Sequence, residues 1–294
     1  MERLVPPAWR PYLRLARLDR PIGTWLLLFP CWWSAALASP GWPDPGLAWL
    51  FVLFAVGAVV MRGAGCTVND ILDRDLDAKV ERTRGRPIPA GEVTPRQALA
   101  FMVFQMLIGL VVLLQLSPFA IGLGVASLVL LFSYPLMKRI TWWPQAFLGL
   151  AFNWGALMGW AAVNGRLGLP AALLYGAGIA WTLGYDTIYA HQDKEDDARI
   201  GVKSTALRLG ERSRVWIAGF YGVTIVGLAA ALVTAGAGPL FLIGLTAAAL
   251  QLVWQVRFWR PDDPADCLLR FKSNRRFGWL VLAAIISGKF TGHL

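Results

Sequence analysis

The chain has 294 residues, of which 56% are apolar and only 16% are charged. Soluble domains are about 25% charged, so this composition excludes an ordinary soluble domain and predicts an all-α membrane protein with many spans. The three cysteines are scattered without a C-x-x-C pair, which excludes a disulfide framework and a cysteine-based zinc site.

The chain begins with a basic segment, residues 1–20. Its arginines alternate with prolines, aromatic residues and leucines. This pattern predicts an amphipathic interfacial arm that lies on an anionic membrane surface. Together with the spans described next, the arm is expected to form one transmembrane domain over residues 1–294.

Apolar segments of about 20 residues, the length that a bilayer core requires, follow one another along the rest of the chain. They cover residues 22–38, 47–68, 97–115, 118–136, 142–163, 170–190, 214–235, 238–256 and 277–291. Nine spans place alternate loops on opposite sides of the membrane. The sequence therefore predicts about nine transmembrane helices.

The distribution of charge supports this count. With nine spans, 26 of the 28 Lys and Arg residues fall on one side of the membrane, which we call the basic face. The positive-inside rule then predicts a cytoplasmic basic face and a cytoplasmic N-terminus. The net charge of +10 is explained by membrane topology, so no nucleic-acid partner is expected.

An acidic motif stands where the second span meets a long loop, residues 70–96, on the basic face. If the helix continues through it, Asn69, Asp73 and Asp77 fall at i, i+4 and i+8, with Asp70 one residue off this stripe. Carboxylates gathered in this way repel each other unless a cation lies among them. Mg²⁺ takes carboxylate and phosphate oxygens, so the motif predicts a Mg²⁺–phosphate site. The alternative is a solvated helix end.

A second acidic cluster ends the sixth span and opens the loop of residues 191–213, also on the basic face. Asp193 and Asp197 are four residues apart, and Asp186 lies seven residues before Asp193, so the spacing predicts one helical face. Two such clusters on the same face are much less consistent with two accidental solvated ends. Facing each other, they could hold two Mg²⁺ ions bridged by a diphosphate.

Basic residues that could bind a diphosphate accompany these clusters. They are Arg62, Arg82, Arg86, Lys138, Arg139, Arg199 and Lys203. Arg62 lies two helical turns before Asn69, inside a span, where a charge is costly without a partner. Tyr134 and Lys138 are i, i+4 at the end of the fourth span. For the loop residues, the positive-inside rule is an equally good explanation.

Three of these patterns match motifs of a known family. N-D-x-x-D-x-x-x-D is met by residues 69–77, D-x-x-x-D by residues 193–197, and Y-x-x-x-K by residues 134–138. On these motifs the chain resembles the UbiA family of intramembrane prenyltransferases. Four phrases are similar to the branch that acts on 4-hydroxybenzoate: Asp-Arg-Pro-Ile-Gly at 19–23, Tyr-Pro-Leu-Met-Lys-Arg at 134–139, Tyr-Asp-Thr-Ile-Tyr-Ala at 185–190 and Ile-Gly-Val-Lys-Ser-Thr at 200–205.

The resemblance implies a fold and a reaction. The fold is nine helices around a lipid-accessible central cavity, and the reaction transfers a polyprenyl group from polyprenyl diphosphate to the carbon ortho to the hydroxyl of 4-hydroxybenzoate, in ubiquinone biosynthesis. The implied Mg²⁺ ligands are Asn69, Asp73, Asp77, Asp186, Asp193 and Asp197. The implied catalytic residues are Arg62, Asp73, Tyr134, Lys138 and Asp193. The implied substrate-binding residues are Arg62, Asp70, Arg82, Arg86, Tyr134, Lys138, Arg139, Arg199 and Lys203.

Two alternatives remain at this point. The acceptor could be another aromatic compound, namely a naphthoate, homogentisate or haem. A Mg²⁺ transporter or binding protein would also present acidic clusters, but it should carry ionisable residues near the bilayer midplane, where this sequence has none. No obligate protein partner is expected besides the lipid bilayer. The bacterial plasma membrane is favoured over the mitochondrial inner membrane, because no clear long transit segment precedes the first span.

Overall fold

The structure is a computed structural model that describes residues 5–41, 44–81 and 83–290. Regular structure in these ranges is entirely helical. The α-helices are α1 (Arg10–Leu15), α2 (Ile22–Ala38), α3 (Pro45–Asp77), α4 (Pro95–Leu113), α5 (Pro118–Ile140), α6 (Pro144–Asn153), α7 (Gly155–Asn164), α8 (Leu169–Ala190), α9 (Lys194–Ile200), α10 (Thr205–Leu209), α11 (Ser213–Thr234), α12 (Phe241–Phe258) and α13 (Pro264–Lys289). Short 3-10 helices cover Pro7–Trp9, His191–Asp193 and Gly210–Arg212.

The predicted spans coincide with helices in the described part of the chain. The span at 142–163 corresponds to two helices, α6 and α7, which meet at Trp154. Six helical segments are long and apolar enough to cross a membrane: Pro45–Asp77, Pro95–Leu113, Pro118–Ile140, Pro144–Asn164, Thr205–Thr234 and Phe241–Phe258. The all-helical membrane fold is confirmed, and the count of nine crossings stays a prediction.

Proline and a side-chain cap start several of the helices. Helix α3 begins at Pro45, where the carboxylate of Asp44 accepts a backbone N–H two residues on at 2.9 Å. Helix α4 begins at Pro95, behind a capping box formed by Thr94 and Gln97. Proline suits the first turn because the N–H that it lacks would have no partner there, and a side-chain cap contributes about 1 kcal/mol. These helix starts are therefore determined by local sequence.

Helix α2 occupies the centre of the bundle, where it packs against α3, α7 and α13. Its Phe29 and Trp33 are fully buried together with Trp181 and Phe277 from α8 and α13. The indole N–H of Trp33 donates to the carbonyl of Gly278 at 2.9 Å, so no polar group is left unpaired by this aromatic packing. The outer helices α4, α5, α11 and α12 expose many aliphatic side chains, as expected of surfaces that contact lipid.

Gly155 and Gly159 allow α7 to lie directly against α2. A Cβ at Gly159 would collide with the carbonyl of Cys31 and lie 2.8 Å from the backbone N of Ala35. Backbone atoms cannot move aside as a side chain can, so Gly159→Ala is expected to lower the free energy of unfolding by about 1–3 kcal/mol. Thermal unfolding in detergent would measure the change.

The matched control for this substitution is Gly176→Ala. A Cβ at Gly176, on α8, meets nothing within 4 Å. Alanine favours a helix over glycine by about 1 kcal/mol, so this control should melt at the wild-type temperature or slightly above it. Equal melting of the Gly159 and Gly176 variants would contradict the close packing of α2 and α7.

Candidate active site

The first acidic motif lies on an extension of α3 beyond the predicted span. The helix continues without interruption to Asp77, so Asn69, Asp73 and Asp77 follow one side of it. Asp73 and Asp77 are only 1% and 6% exposed, whereas the side chain of Asp75 is 87% exposed. The extended helix therefore turns its acidic stripe towards the protein interior.

Asp73 is neutralised by the end of α5. Lys138 forms an ion pair with one of its carboxylate oxygens, and Arg139 Nη2 lies 3.1 Å from the other. Arg139 also donates to the carbonyl of Leu72 at 3.0 Å. A buried carboxylate is costly unless it is paired, and these two bases meet that requirement. Two predicted substrate-binding bases thus hold a predicted metal ligand.

Asp70 and Asp77 are neutralised from the other side. Arg86 Nη1 lies 3.0 Å from Asp70 Oδ1 and 2.6 Å from Asp77 Oδ2, so one guanidinium bridges the two acids. Arg17 Nη2 contacts both oxygens of Asp70, at 2.7 and 2.8 Å. Arg17 was missed by sequence reasoning, although the position of Asp70 outside the acidic stripe implied a separate partner.

Arg17 also fixes the N-terminal arm to the site. Its backbone adopts φ 57°, a left-handed conformation that costs a residue with a side chain of order 1 kcal/mol or more. Leu15 is fully buried with Ile88 and Val93, which belong to the loop between α3 and α4. Arg14 forms an ion pair with Glu92 of the same loop. The arm therefore packs on the acidic motif and its loop, which is a protein contact that the amphipathic pattern did not predict.

The second acidic motif follows a break in the helix. Helix α8 ends at Ala190, a 3-10 turn covers His191–Asp193, and α9 starts at Lys194. The single helical face predicted for Asp186, Asp193 and Asp197 is therefore wrong, because the i, i+7 spacing applies only to a continuous α-helix. The 3-10 turn nevertheless keeps all three acids beside one cavity.

The two acidic motifs open into the same cavity of about 220 Å³ on the basic face. Its acidic and amide lining residues are Asn69, Asp77, Asp186, Asp193, Asp197 and Gln145. Its basic and phenolic lining residues are Arg86, Lys138, Lys203 and Tyr134. Apolar side chains such as Leu148 and Val202 complete the wall. Gln145 was not predicted; it accepts the backbone N–H of Thr205 at 3.1 Å and so joins α6 to the second loop.

Other predicted site residues lie outside this lining. Among the residues that the structure describes, Asp70 and Asp73 stand in the ion pairs beside the cavity. The side chain of Arg199 is 72% exposed and pairs with Glu195 and Asp196. Arg82 falls outside the described residues. Substrate binding by Arg199 thus finds the least structural support.

The cavity suits Mg²⁺ without forming a closed metal cage. The described ranges contain no group of three or more His, Cys, Asp or Glu side chains arranged to hold a metal ion by themselves. Mg²⁺ is commonly bound through one or two carboxylates, with phosphate oxygens and water as the remaining ligands. The oxygen donors that line the cavity match this preference, so the residues fit a metal that binds together with a diphosphate.

Arg62 is half-buried and lies outside the lining of the cavity. Its guanidinium carbon is 5.3 Å from the ring centroid of Phe152, and its Nε has no hydrogen-bond partner in the described part of the chain. A Cβ at Gly23 would collide with this Nε, so a side chain at this position would displace the guanidinium. Gly23, the last residue of the phrase at 19–23 quoted above for its resemblance, therefore has a steric function here.

His191 is neutral under physiological conditions. Burial, with a smaller effect of Lys194, lowers its pKa to about 4, and its Nε2 is 3.1 Å from Ser213 Oγ. Because the unfolded chain takes up this proton near pH 6.5, His191 stabilises the fold above that pH, and the contribution is lost as the pH falls towards 4.

His191→Gln should remove about 2 kcal/mol of the stability difference between pH 7 and pH 5. Unfolding at the two pH values would measure it; an unchanged difference would contradict the assignment.

The sequence of this chain matches a known family of membrane proteins. Residues 27–281 match the UbiA prenyltransferase family. The chain therefore belongs to this family of membrane prenyltransferases. It is 50% identical over 286 residues to the mitochondrial 4-hydroxybenzoate polyprenyltransferase of Arabidopsis thaliana, covering 97% of this chain and 70% of the relative. It is 48% identical over 286 residues to the enzyme of that name in Homo sapiens, covering 96% and 76%.

Solved structures agree with the fold. A UbiA homolog from Aeropyrum pernix K1 superposes with a TM-score of 0.72 at 23% identity, covering 91% of this chain and 96% of that one. A UbiA homolog from Archaeoglobus fulgidus, solved with GPP and Mg²⁺, gives a TM-score of 0.69 at 17% identity, covering 96% and 100%. At these identities the likeness concerns the fold alone.

The relatives correct the predicted location. Those from Arabidopsis thaliana, Drosophila melanogaster, Rattus norvegicus and Homo sapiens are all named mitochondrial. The prediction of a bacterial plasma membrane is therefore wrong. It depended on the apparent absence of a transit segment before the first span, and such an absence does not establish the compartment. The multi-pass membrane character is unaffected.

Proposed function

We propose that this protein transfers a polyprenyl group from polyprenyl diphosphate to the ring carbon ortho to the hydroxyl of 4-hydroxybenzoate, in ubiquinone biosynthesis and in a mitochondrial membrane. The family and the names of relatives at about half identity support the reaction. The observation that carries the proposal is the single cavity that acids of both motifs line together with Lys138 and Tyr134. Such a cavity supplies oxygen ligands and cationic donors to one diphosphate.

Mg²⁺ is the proposed cofactor. Asn69, Asp77, Asp186, Asp193 and Asp197 line the cavity, and Asp73 lies beside them in an ion pair. When bound, Mg²⁺ would neutralise charge on the diphosphate and make it a better leaving group. Distant relatives of the same fold were solved with Mg²⁺ and GPP or DMAPP, which supports this choice for the family.

The basic residues act on the diphosphate directly. Lys138 and Arg86 line the cavity and form ion pairs with Asp73 and Asp77, respectively. With Mg²⁺ and a diphosphate bound, these bases would donate to the phosphate oxygens, and the carboxylates would hold the metal. The charge-assisted hydrogen bonds then strengthen as the C1–O bond breaks and its electron pair leaves with the diphosphate.

The apolar part of the site protects the allylic cation. Water would convert it to an alcohol, and side chains such as Leu148 and Val202 limit the access of water. Tyr134 lines the cavity, where its aromatic ring would stabilise the positive charge. The ortho carbon of the acceptor then forms the new C–C bond, and a base removes the ring proton. Arg62 or Arg139 would pair with the acceptor carboxylate.

The test is product analysis with purified protein in lipid vesicles, Mg²⁺, a polyprenyl diphosphate and one acceptor at a time. The expected result is a prenylated 4-hydroxybenzoate identified by mass spectrometry, with little product from a naphthoate, homogentisate or haem. Preference for another acceptor would reassign the substrate. Passage of Mg²⁺ across the vesicles without any prenylated product would contradict the proposal and favour a transporter.

A further inference from the structure

A second cavity lies between α11 and α12, apart from the acidic one. It has a volume of about 560 Å³ and shares no lining residue with the acidic cavity. Its walls include Arg214, Gly222 and Ile225 from α11 and Ala249, Val253 and Arg257 from α12. Gly222 and Val253 are exposed on helical segments long enough to cross a membrane, so the cavity opens towards lipid. We call it the lateral groove.

Small residues give the groove its depth. Helix α11 packs extensively on α8 and more sparsely on α12. Ala218, Gly222 and Ala249 face the gap that results. A Cβ at Gly222 would meet nothing within 4 Å, so the space beside this glycine is open. From Arg214 to Ile225 the groove follows α11 for about 16 Å, which is close to half the thickness of a bilayer core of about 30 Å.

Two positive charges mark one end of the groove. Arg214 lies in the first turn of α11 and Arg257 in the last turn of α12, so both lie on the basic face. Arg214 donates to backbone carbonyls at the end of α12, including that of Trp259 at 2.7 Å, and these acceptors are neutral. Neither arginine forms an ion pair with a described residue, and Arg257 is exposed. Their charges are therefore available to an anion at the membrane interface.

We propose that the lateral groove binds a phospholipid with an anionic headgroup. Its phosphate lies between Arg214 and Arg257, and one acyl chain follows the groove to the middle of the bilayer. Arginine donates paired hydrogen bonds to phosphate, and basic pockets between membrane helices recognise anionic headgroups. The depth of one leaflet, the apolar walls and the unpaired charges at one end all fit this ligand.

Native mass spectrometry of the full-length protein tests the proposal. The protein is reconstituted in vesicles of equal parts phosphatidylglycerol and phosphatidylcholine, extracted in mild detergent, and its retained lipid is identified. The wild type should retain phosphatidylglycerol in preference to phosphatidylcholine. Arg257→Gln, which leaves the helix-end contacts of Arg214 in place, should lower the preference about fivefold. Gly222→Leu fills the groove and should abolish retention of either lipid.

Two control variants distinguish the loss of the groove from a general effect of a larger side chain or of a lost positive charge. Gly219→Leu places the same side chain on the same helix, where a Cβ also meets nothing within 4 Å but outside the groove lining. Arg96→Gln removes an exposed arginine from the first turn of α4, which also lies on the basic face. Both should retain phosphatidylglycerol as the wild type does, with unchanged helical circular dichroism. Equal retention of the two lipids by the wild type, or equal loss in Gly219→Leu, would overturn the proposal.

Discussion

Replacing Asp73 with asparagine is expected to reduce the rate of prenyl transfer by about 10²–10³-fold, the loss typical of removing one charged group that stabilises a transition state. Asparagine keeps the shape of the side chain but removes the negative charge that Lys138 and Arg139 now neutralise. Asp73 would also be a ligand of Mg²⁺, so the variant would lack both a metal ligand and the partner that positions two bases. Turnover with saturating substrates and a range of Mg²⁺ concentrations would measure the effect.

Asp75→Asn is the matched control for Asp73. It makes the same chemical change two residues along the same helix, at a side chain that is 87% exposed. The control should retain wild-type turnover, while the Asp73 variant should be impaired at every Mg²⁺ concentration. Near-normal turnover of the Asp73 variant would mean that this carboxylate serves only as a counter-ion for α5, and the metal assignment would then fail.

The helices and the acidic stripe were predictable because they depend on local patterns. Apolar length determines a span, and i, i+4 spacing determines which side chains share a helical face. The same argument failed at Asp186 and Asp193, where a 3-10 turn interrupts the helix. The acidic residues 195–197 occupy the first turn of α9, where negative charge interacts favourably with the helix dipole, and the spacing along the chain does not reveal this new helix start.

The partners of the acids were less predictable because they come from distant segments. Arg17 reaches Asp70 across 53 positions, and Arg139 reaches Asp73 across 66. The sequence predicted that Lys138 binds the diphosphate, but it did not indicate the ion pair of Lys138 with Asp73. Such pairing depends on how the helices pack, and a single sequence taken alone does not record this packing. Local signals thus identified the charged residues, and the tertiary fold determined which of them meet.

Arg62 is the second residue whose substitution is expected to lower catalysis strongly, because its surroundings leave the guanidinium ready to bind an anion. The residue is set within α3 where a charge requires a partner, yet its Nε has no hydrogen bond to any described residue. Electrostatic interaction with Asp186 compensates part of the charge. The absence of a side chain at Gly23 lets the guanidinium lie directly against this residue. A group held in this way loses little entropy when it binds a diphosphate or a carboxylate.

Arg62→Met is therefore expected to lower kcat/KM by at least about a hundredfold, because methionine retains much of the apolar stem but none of the charge. A fall in kcat would assign Arg62 to the leaving diphosphate, whereas a rise in KM for 4-hydroxybenzoate alone would assign it to the acceptor carboxylate. Arg74→Gln provides the control, since Arg74 stands on the same helix with its side chain 49% exposed. It should leave both constants unchanged. Wild-type kinetics in Arg62→Met would exclude contact with either substrate and leave this buried charge as a structural partner of Asp186.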